Sequence, residues 1–195
     1  TDFLEEIAPI SLQEDYDNCG LIVGDESLFI NAVLITIDCT ESVIDESIKT
    51  GCNLIIAHHP IVFNSLKKLN GNNYIERTVI KAIKNNIAIY AIHTNLDSVP
   101  NGVSFRISER LGLINTKILS PKYKVNQMDV GYGVIGDLTS PVESMEFLLS
   151  LKSVMKTDCI RHTALVKSEI NKVAVCGGSG SAFLINAKKL NADIY

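Results

Sequence analysis

Apolar residues fall in short runs along the chain, divided by polar turns, and the intervals between runs carry helical spacing. Ala32–Ile37 is apolar on both faces, as in a central or parallel strand. Thr40 then caps a helix from Glu41 to Lys49, with Val43, Ile44 and Ile48 turned inward. Gly51 stands where a left-handed residue closes a helix. Asn53–Ala57 is the next strand, so this stretch predicts a βαβ unit with a right-handed crossover and a parallel pair. A second unit follows: an amphipathic helix over Tyr74–Lys84, built on Ile75, Val79, Ile80 and Ile83, then a strand over Ile87–Ile92. A short helix over Asp2–Ala8 ends at Pro9, and a short strand over Leu21–Val23 follows the polar turn Asp15–Gly20. A helix over Val103–Leu111 ends at Gly112.

After Leu119 the pattern changes. Ser120–Lys124 reads as a joint between lobes, which predicts a first lobe over residues 1–119 and a second over 120–195. Val130–Leu138 is a glycine-rich strand, a sign of a bulge or close backbone approach. Pro141 suits the first turn of a helix running to about Met155. Cys159–Leu165 and Lys172–Cys176 read as strands, and a helix through Lys189 precedes a new strand at Ala192–Tyr195. The order strand, turn, helix, strand seen at Val33–Ile56 recurs at Val173–Tyr195. Such a duplication would set Tyr195 opposite Ile56, leaving the second lobe truncated at its last strand and further ligands beyond Tyr195.

Composition narrows the class. With 195 residues, 46% of them hydrophobic and 21% charged, a substantial core is expected. A net charge of -4 with no long basic run argues against a dedicated nucleic-acid surface. No apolar run has the length of a membrane span. Five cysteines, an odd number without a Cys-x-x-Cys pair, fit a reducing cytoplasmic setting without disulfides. Cys19 beside Gly20 could be a nucleophile, but no base marks it.

Candidate chemistry gathers at two strand ends. Ile55-Ile56-Ala57-His58-His59-Pro60 delivers two histidines where an apolar strand gives way to a loop, since Pro60 cannot donate to a sheet. Neighbouring strand residues point to opposite faces, so a turn is expected to bring both to one cleft. After the strand Ile87–Ile92 comes His93-Thr94-Asn95-Leu96-Asp97. Three of the four histidines lie in these two places. Ligands of open α/β sheets bind outside the carboxyl ends of strands, and a mixed His/Asp set suits a hydrolytic metal site. The plainer alternative is a group of hydrogen-bonded histidines. His162 alternates with apolar residues and reads as a strand histidine, and Asp17 and Asn18 read as turn residues. The loop Gly177-Gly178-Ser179-Gly180-Ser181 is either an anion cradle or a tight turn. No Gly-Lys-Ser/Thr follows it, and Phe183 occupies the third glycine position of the dinucleotide fingerprint.

With these residues in view, the chain resembles the Nif-three-like dinuclear metal-centre proteins, whose members are called GTP cyclohydrolase 1 type 2 homologues. The matching stretches are Asp17–Leu21, Ala57–Phe63, His93–Asp97, Gly133–Gly136 and Val173–Gly180, in family order. The resemblance implies an α/β fold of two similar lobes, with mixed, largely parallel sheets flanked by helices. It implies two divalent metal ions held by His58, His59 and Asp97, with zinc, iron, manganese and nickel all suited to such ligands. His93 belongs to the motif but is not normally counted among the ligands. The family completes the site with a His-x-x-x-Glu pair that this sequence does not reach. Many members carry an inserted domain where Ser120–Asp129 leaves no room for one. The implied activity is hydrolytic opening of the guanine imidazole ring of GTP, a small-molecule nucleotide substrate, in a homohexamer. Asp38, Asn95 and the Gly177–Ser181 loop would be supporting or phosphate contacts. Two other readings remain: a different dinuclear phosphoesterase, and a metal-binding regulatory or scaffold ring without turnover.

Overall fold

The computed structural model describes residues 1–125 and 128–195. The chain divides into two compact units, Thr1–Leu96 and Asp97–Tyr195.

The first unit is built on a four-stranded sheet. The helix α1 (Asp2–Ile7) and one turn of 3-10 helix (Ile10–Leu12) lead into β1 (Gly20–Val23). Then come β2 (Val33–Asp38), α2 (Glu41–Thr50), β3 (Leu54–His59), α3 (Tyr74–Lys84) and β4 (Ala88–Ala91). The spatial order is β1-β4-β3-β2. β2, β3 and β4 run parallel, as the two βαβ units require, and β1 closes the other edge antiparallel to β4. The helix ends follow their sequence signals. The Thr40 side chain accepts the Val43 N–H, Gly51 closes α2 at φ 73°, and the Asn73 side chain caps α3. Ile44, Ile55, Ala57, Val79, Ala82 and Ile89 form the core beneath the helices. On the opposite face of edge strand β2, Val33, Ile35 and Ile37 stay exposed.

The second unit holds α4 (Thr94–Ser98) from Asp97 on, α5 (Val103–Arg110), β5 (Ile114–Val125), β6 (Met128–Glu143), α6 (Ser144–Val154), β7 (Glu169–Val175) and α7 (Leu184–Lys189), preceded by a 3-10 turn over Gly180–Phe183. β5, β6 and β7 form an antiparallel sheet in that order. Three local expectations are corrected here. Ser120–Lys124 is part of β5 rather than an open joint, and its Pro121 is accommodated by a register shift before Tyr123. Pro141 belongs to β6, where the pairing skips from Asp137 to Val142; the helix starts after it, capped by the Glu143 side chain. Cys159–Leu165 has strand composition but forms no strand, since no backbone ladder joins it among the described residues. Gly131 is dictated by close approach, since a Cβ there would lie 2.1 Å from the Ser120 carbonyl oxygen.

The strand expected at Ala192–Tyr195 is a single parallel bridge between Val173 and Ile194. Asp193 fixes it. Its Oδ2 accepts the N–H groups of Asn171 at 2.9 Å and Lys172 at 2.8 Å, and its Oδ1 pairs with the Lys167 ammonium. Burial raises the Asp193 carboxyl, but Lys167 and the two N–H groups outweigh burial and hold it below its ordinary 3.8. A carboxylate lowered by folding adds stability above its unfolded value and loses it as the pH falls through the folded one. Asp193→Asn is therefore expected to cost about 1–3 kcal/mol near pH 7, the scale of charge-assisted hydrogen bonds. The gap from wild type in urea denaturation should shrink as the pH drops below 3.8. An equal gap at pH 7 and pH 3 would show that the carboxylate charge plays no part.

Candidate metal centre

The site lies at the carboxyl ends of the parallel strands, within the first unit. β3 extends two residues further than its apolar run, so His58 and His59 are its last two positions. The strand gives way only at Pro60, after both histidines. Their rings meet past the end of the sheet, with centroids 5.0 Å apart. His93 directly precedes α4 and completes the group, with its ring 5.2 Å from His58 and 5.5 Å from His59. Each of the three offers a ring nitrogen, and these nitrogens lie within 4.8 Å of one another.

What these rings can do is set by their other nitrogen. His58 Nδ1 lies 2.9 Å from the Ile92 carbonyl oxygen, just past β4. His59 Nδ1 lies 2.8 Å from Asp38 Oδ1, and His93 Nδ1 lies 2.8 Å from Asp17 Oδ1. A carbonyl and an ionised carboxylate only accept, so each Nδ1 must carry the proton and donate it. In the neutral ring, Nε2 then holds the lone pair. Metal-binding histidines are commonly oriented in this way, through a hydrogen bond from the second nitrogen. Three imidazole nitrogens therefore fit a divalent ion such as zinc, iron or nickel.

The anchors come from separate elements. Asp38 ends β2 and is paired in register with His59, so both side chains leave the same face. Its carboxylate is largely solvent-exposed, whereas that of Asp17 is fully buried. Asp17 accepts the Thr94 N–H at 3.0 Å, the Thr94 hydroxyl, the Asn18 N–H at 2.8 Å and the Cys19 thiol at 3.1 Å, besides His93. Burial works to raise its carboxyl, but the hydrogen bonds from His93, Thr94, Cys19 and Asn18 outweigh it and hold the group far below the usual carboxylate range. The Cys19 thiol is pushed up to about 11, first by burial and then by Asp17, which disfavours the thiolate a nucleophile needs.

Of the residues singled out in the sequence, His58 and His59 come together. His93, set aside as a ligand by the resemblance, stands beside them. Asp97 lies on α4 in the second unit, where a Cβ built on Gly178 would sit 4.0 Å from its Oδ2. Asn95 is buried; its side chain accepts the His93 N–H and donates to the Ala8 carbonyl, which fixes the start of α4. His162 is exposed, with Nδ1 at 2.7 Å from the Thr163 carbonyl, away from the cluster. Asp17, a turn residue by its sequence, is the buried anchor of His93. Only its place in the Asp17–Leu21 motif hinted at more.

The whole chain, residues 1–195, matches the family described as Duf34/NIF3 (NGG1p interacting factor 3). A protein of Clostridium acetobutylicum named GTP cyclohydrolase 1 type 2 homolog is 37% identical over 190 residues, which cover 97% of this chain and 70% of the relative. A protein of Clostridium perfringens with the same name is 37% identical over 191 residues, covering 98% and 72%. Among solved structures, the Bacillus cereus protein related to NIF3 superposes with a TM-score of 0.91 at 25% identity, covering 100% of this chain and 79% of the other.

Proposed function

The chain belongs to the Duf34/NIF3 family, and from that premise we propose that it is a metal-dependent hydrolase whose centre includes His58, His59 and Asp97. The observation that carries the proposal is the pinning of Nδ1 on all three clustered histidines, which turns three neutral imidazoles into ready ligands. A bound divalent ion supplies Lewis acidity and a water acidic enough to attack near neutral pH. The protein's own groups do the rest. The Ile92 carbonyl and Asp38 hold the two β3 histidines in one tautomer. Asp17 holds His93 and places a fixed negative charge behind it. His59, half exposed, leaves the centre open to substrate from solvent.

Two ions per chain, a homohexameric assembly and GTP as substrate belong to the same proposal. The names of the clostridial relatives support the last of these. For that substrate the reaction is hydrolytic opening of the guanine imidazole ring with release of formate. Full-length protein loaded in turn with zinc, iron, manganese and nickel, and incubated with GTP, is expected to release formate in proportion to GTP consumed. No formate with any of the four metals would remove GTP as the substrate. No helix among the described residues is long and apolar enough to cross a membrane.

A further inference from the structure

Two exposed aromatic rings stand beside the histidine cluster, and neither contributes to a buried core. Tyr16 is 65% exposed and Phe63 is 44% exposed. Their centroids lie 6.2 Å apart with the planes tilted by 51°. Phe63 in turn meets His93 at 6.4 Å, nearly edge-on at 76°. The rings therefore form a short aromatic wall that ends at the cluster.

Polar bonds tie together the two segments that carry the wall. Tyr16 is followed by Asp17, tied to His93 and Thr94, and by Asn18, whose side-chain amide donates to the Val62 carbonyl at 2.6 Å. That last bond joins the turn carrying Tyr16 to the residue before Phe63. The two rings come from segments far apart in sequence, so their juxtaposition depends on these bonds. Leaving two aromatic faces in water gives up the burial that such side chains normally gain. A ligand that covers them recovers it.

We propose that Tyr16 and Phe63 form a stacking subsite that seats the planar heterocycle of a small-molecule substrate against the clustered histidines. The proposal rests on reading the cluster as a hydrolytic metal centre. Aromatic rings accept a planar partner in offset or edge-on contact at centroid separations of about 4.5–7 Å. Phe63 meets both Tyr16 and His93, so a ring seated on the wall lies beside the cluster. The wall offers π faces to the body of a ligand, and a metal held by the imidazoles would meet the heteroatoms of its edge. That combination selects a heterocycle with ring heteroatoms over an aliphatic chain.

The test uses full-length, metal-loaded protein and calorimetric titration with GMP, a pterin, and ribose 5-phosphate as a probe without a heterocycle. The variants are Tyr16→Leu, Phe63→Leu and Tyr16→Trp, each checked by circular dichroism and metal analysis. GMP or the pterin should bind wild type and lose roughly ten- to hundredfold in affinity in each leucine variant, the scale of base–aromatic stacking. Tyr16→Trp should restore binding, and ribose 5-phosphate should be unaffected throughout. The subsite is overturned if neither ring probe binds wild type, if the leucine variants bind the rings as well as wild type does, or if ribose 5-phosphate weakens by the same factor. Should Phe63→Leu fail to fold, the exposed position 16 decides the matter alone. Leucine variants that keep their metal but bind the rings unchanged would end the subsite and leave the hydrolase reading standing. Wild type without metal would end the hydrolase reading, while the ring titrations would still decide the subsite.

Discussion

Replacing His58 and His59 together by alanine is expected to abolish metal binding. Both residues terminate β3, and each has its Nδ1 engaged, so each has its remaining nitrogen to offer a metal. Losing one outer hydrogen-bond partner of a metal ligand typically costs about 10–100-fold in affinity. Losing two ligands outright should exceed the upper end of that range. Elemental analysis after dialysis against a weak chelator reads the result directly. The fold should survive, because neither ring belongs to the buried core of the first unit. Metal retained at wild-type stoichiometry in the folded double variant would show that the ions sit elsewhere.

The second large effect belongs to Asp17, an outer residue. Its buried carboxylate accepts from a ring nitrogen, two backbone N–H groups, a hydroxyl and a thiol. Asparagine has nearly the same shape, but one of its two terminal atoms is an NH2. Whichever way the amide turns, that donor faces another donor, His93 Nδ1–H on one side or Thr94 N–H on the other. Asp17→Asn is thus expected to lose about 1–3 kcal/mol of stability, the cost of leaving a buried polar group unsatisfied. Metal affinity should fall about 10–100-fold because His93 is no longer held. Asp38→Asn provides the contrast: that carboxylate is 65% exposed, water can replace it, and stability should barely change. Urea midpoints and chelator competition on both variants separate the two roles. An Asp17→Asn protein equal to wild type in both measurements would refute the orienting role of Asp17.

The first unit was legible in the sequence because its signals are local. Strands apolar on both faces, a threonine cap at Thr40 and a glycine at position 51 each specify their element without outside help. The antiparallel sheet was harder to read, since strand formation depends on a partner. Ser120–Lys124 looked like a joint until β6 paired with it, and Cys159–Leu165 looked like a strand but forms no ladder among the described residues. Pro141 is tolerated in β6 only because the register breaks there. The site divides along the same line. His58 and His59 announce themselves as a pair at a strand end. Asp17 does not, because it meets His93 across 76 residues of sequence, and nothing in its own turn reveals that contact.

The three histidine anchors also act as a check on strand alignment. His59 depends on Asp38 from β2, His58 on the carbonyl that follows β4, and His93 on the turn before β1. Sliding β2 by one residue against β3 would turn Asp38 to the opposite face. Sliding β4 would carry the Ile92 carbonyl away from His58. An ion bound at this cluster would therefore reward the correctly threaded sheet. Parallel strands joined by long crossovers have many near-miss pairings available to them. Here the residues that do chemistry double as proofreaders of the fold that carries them.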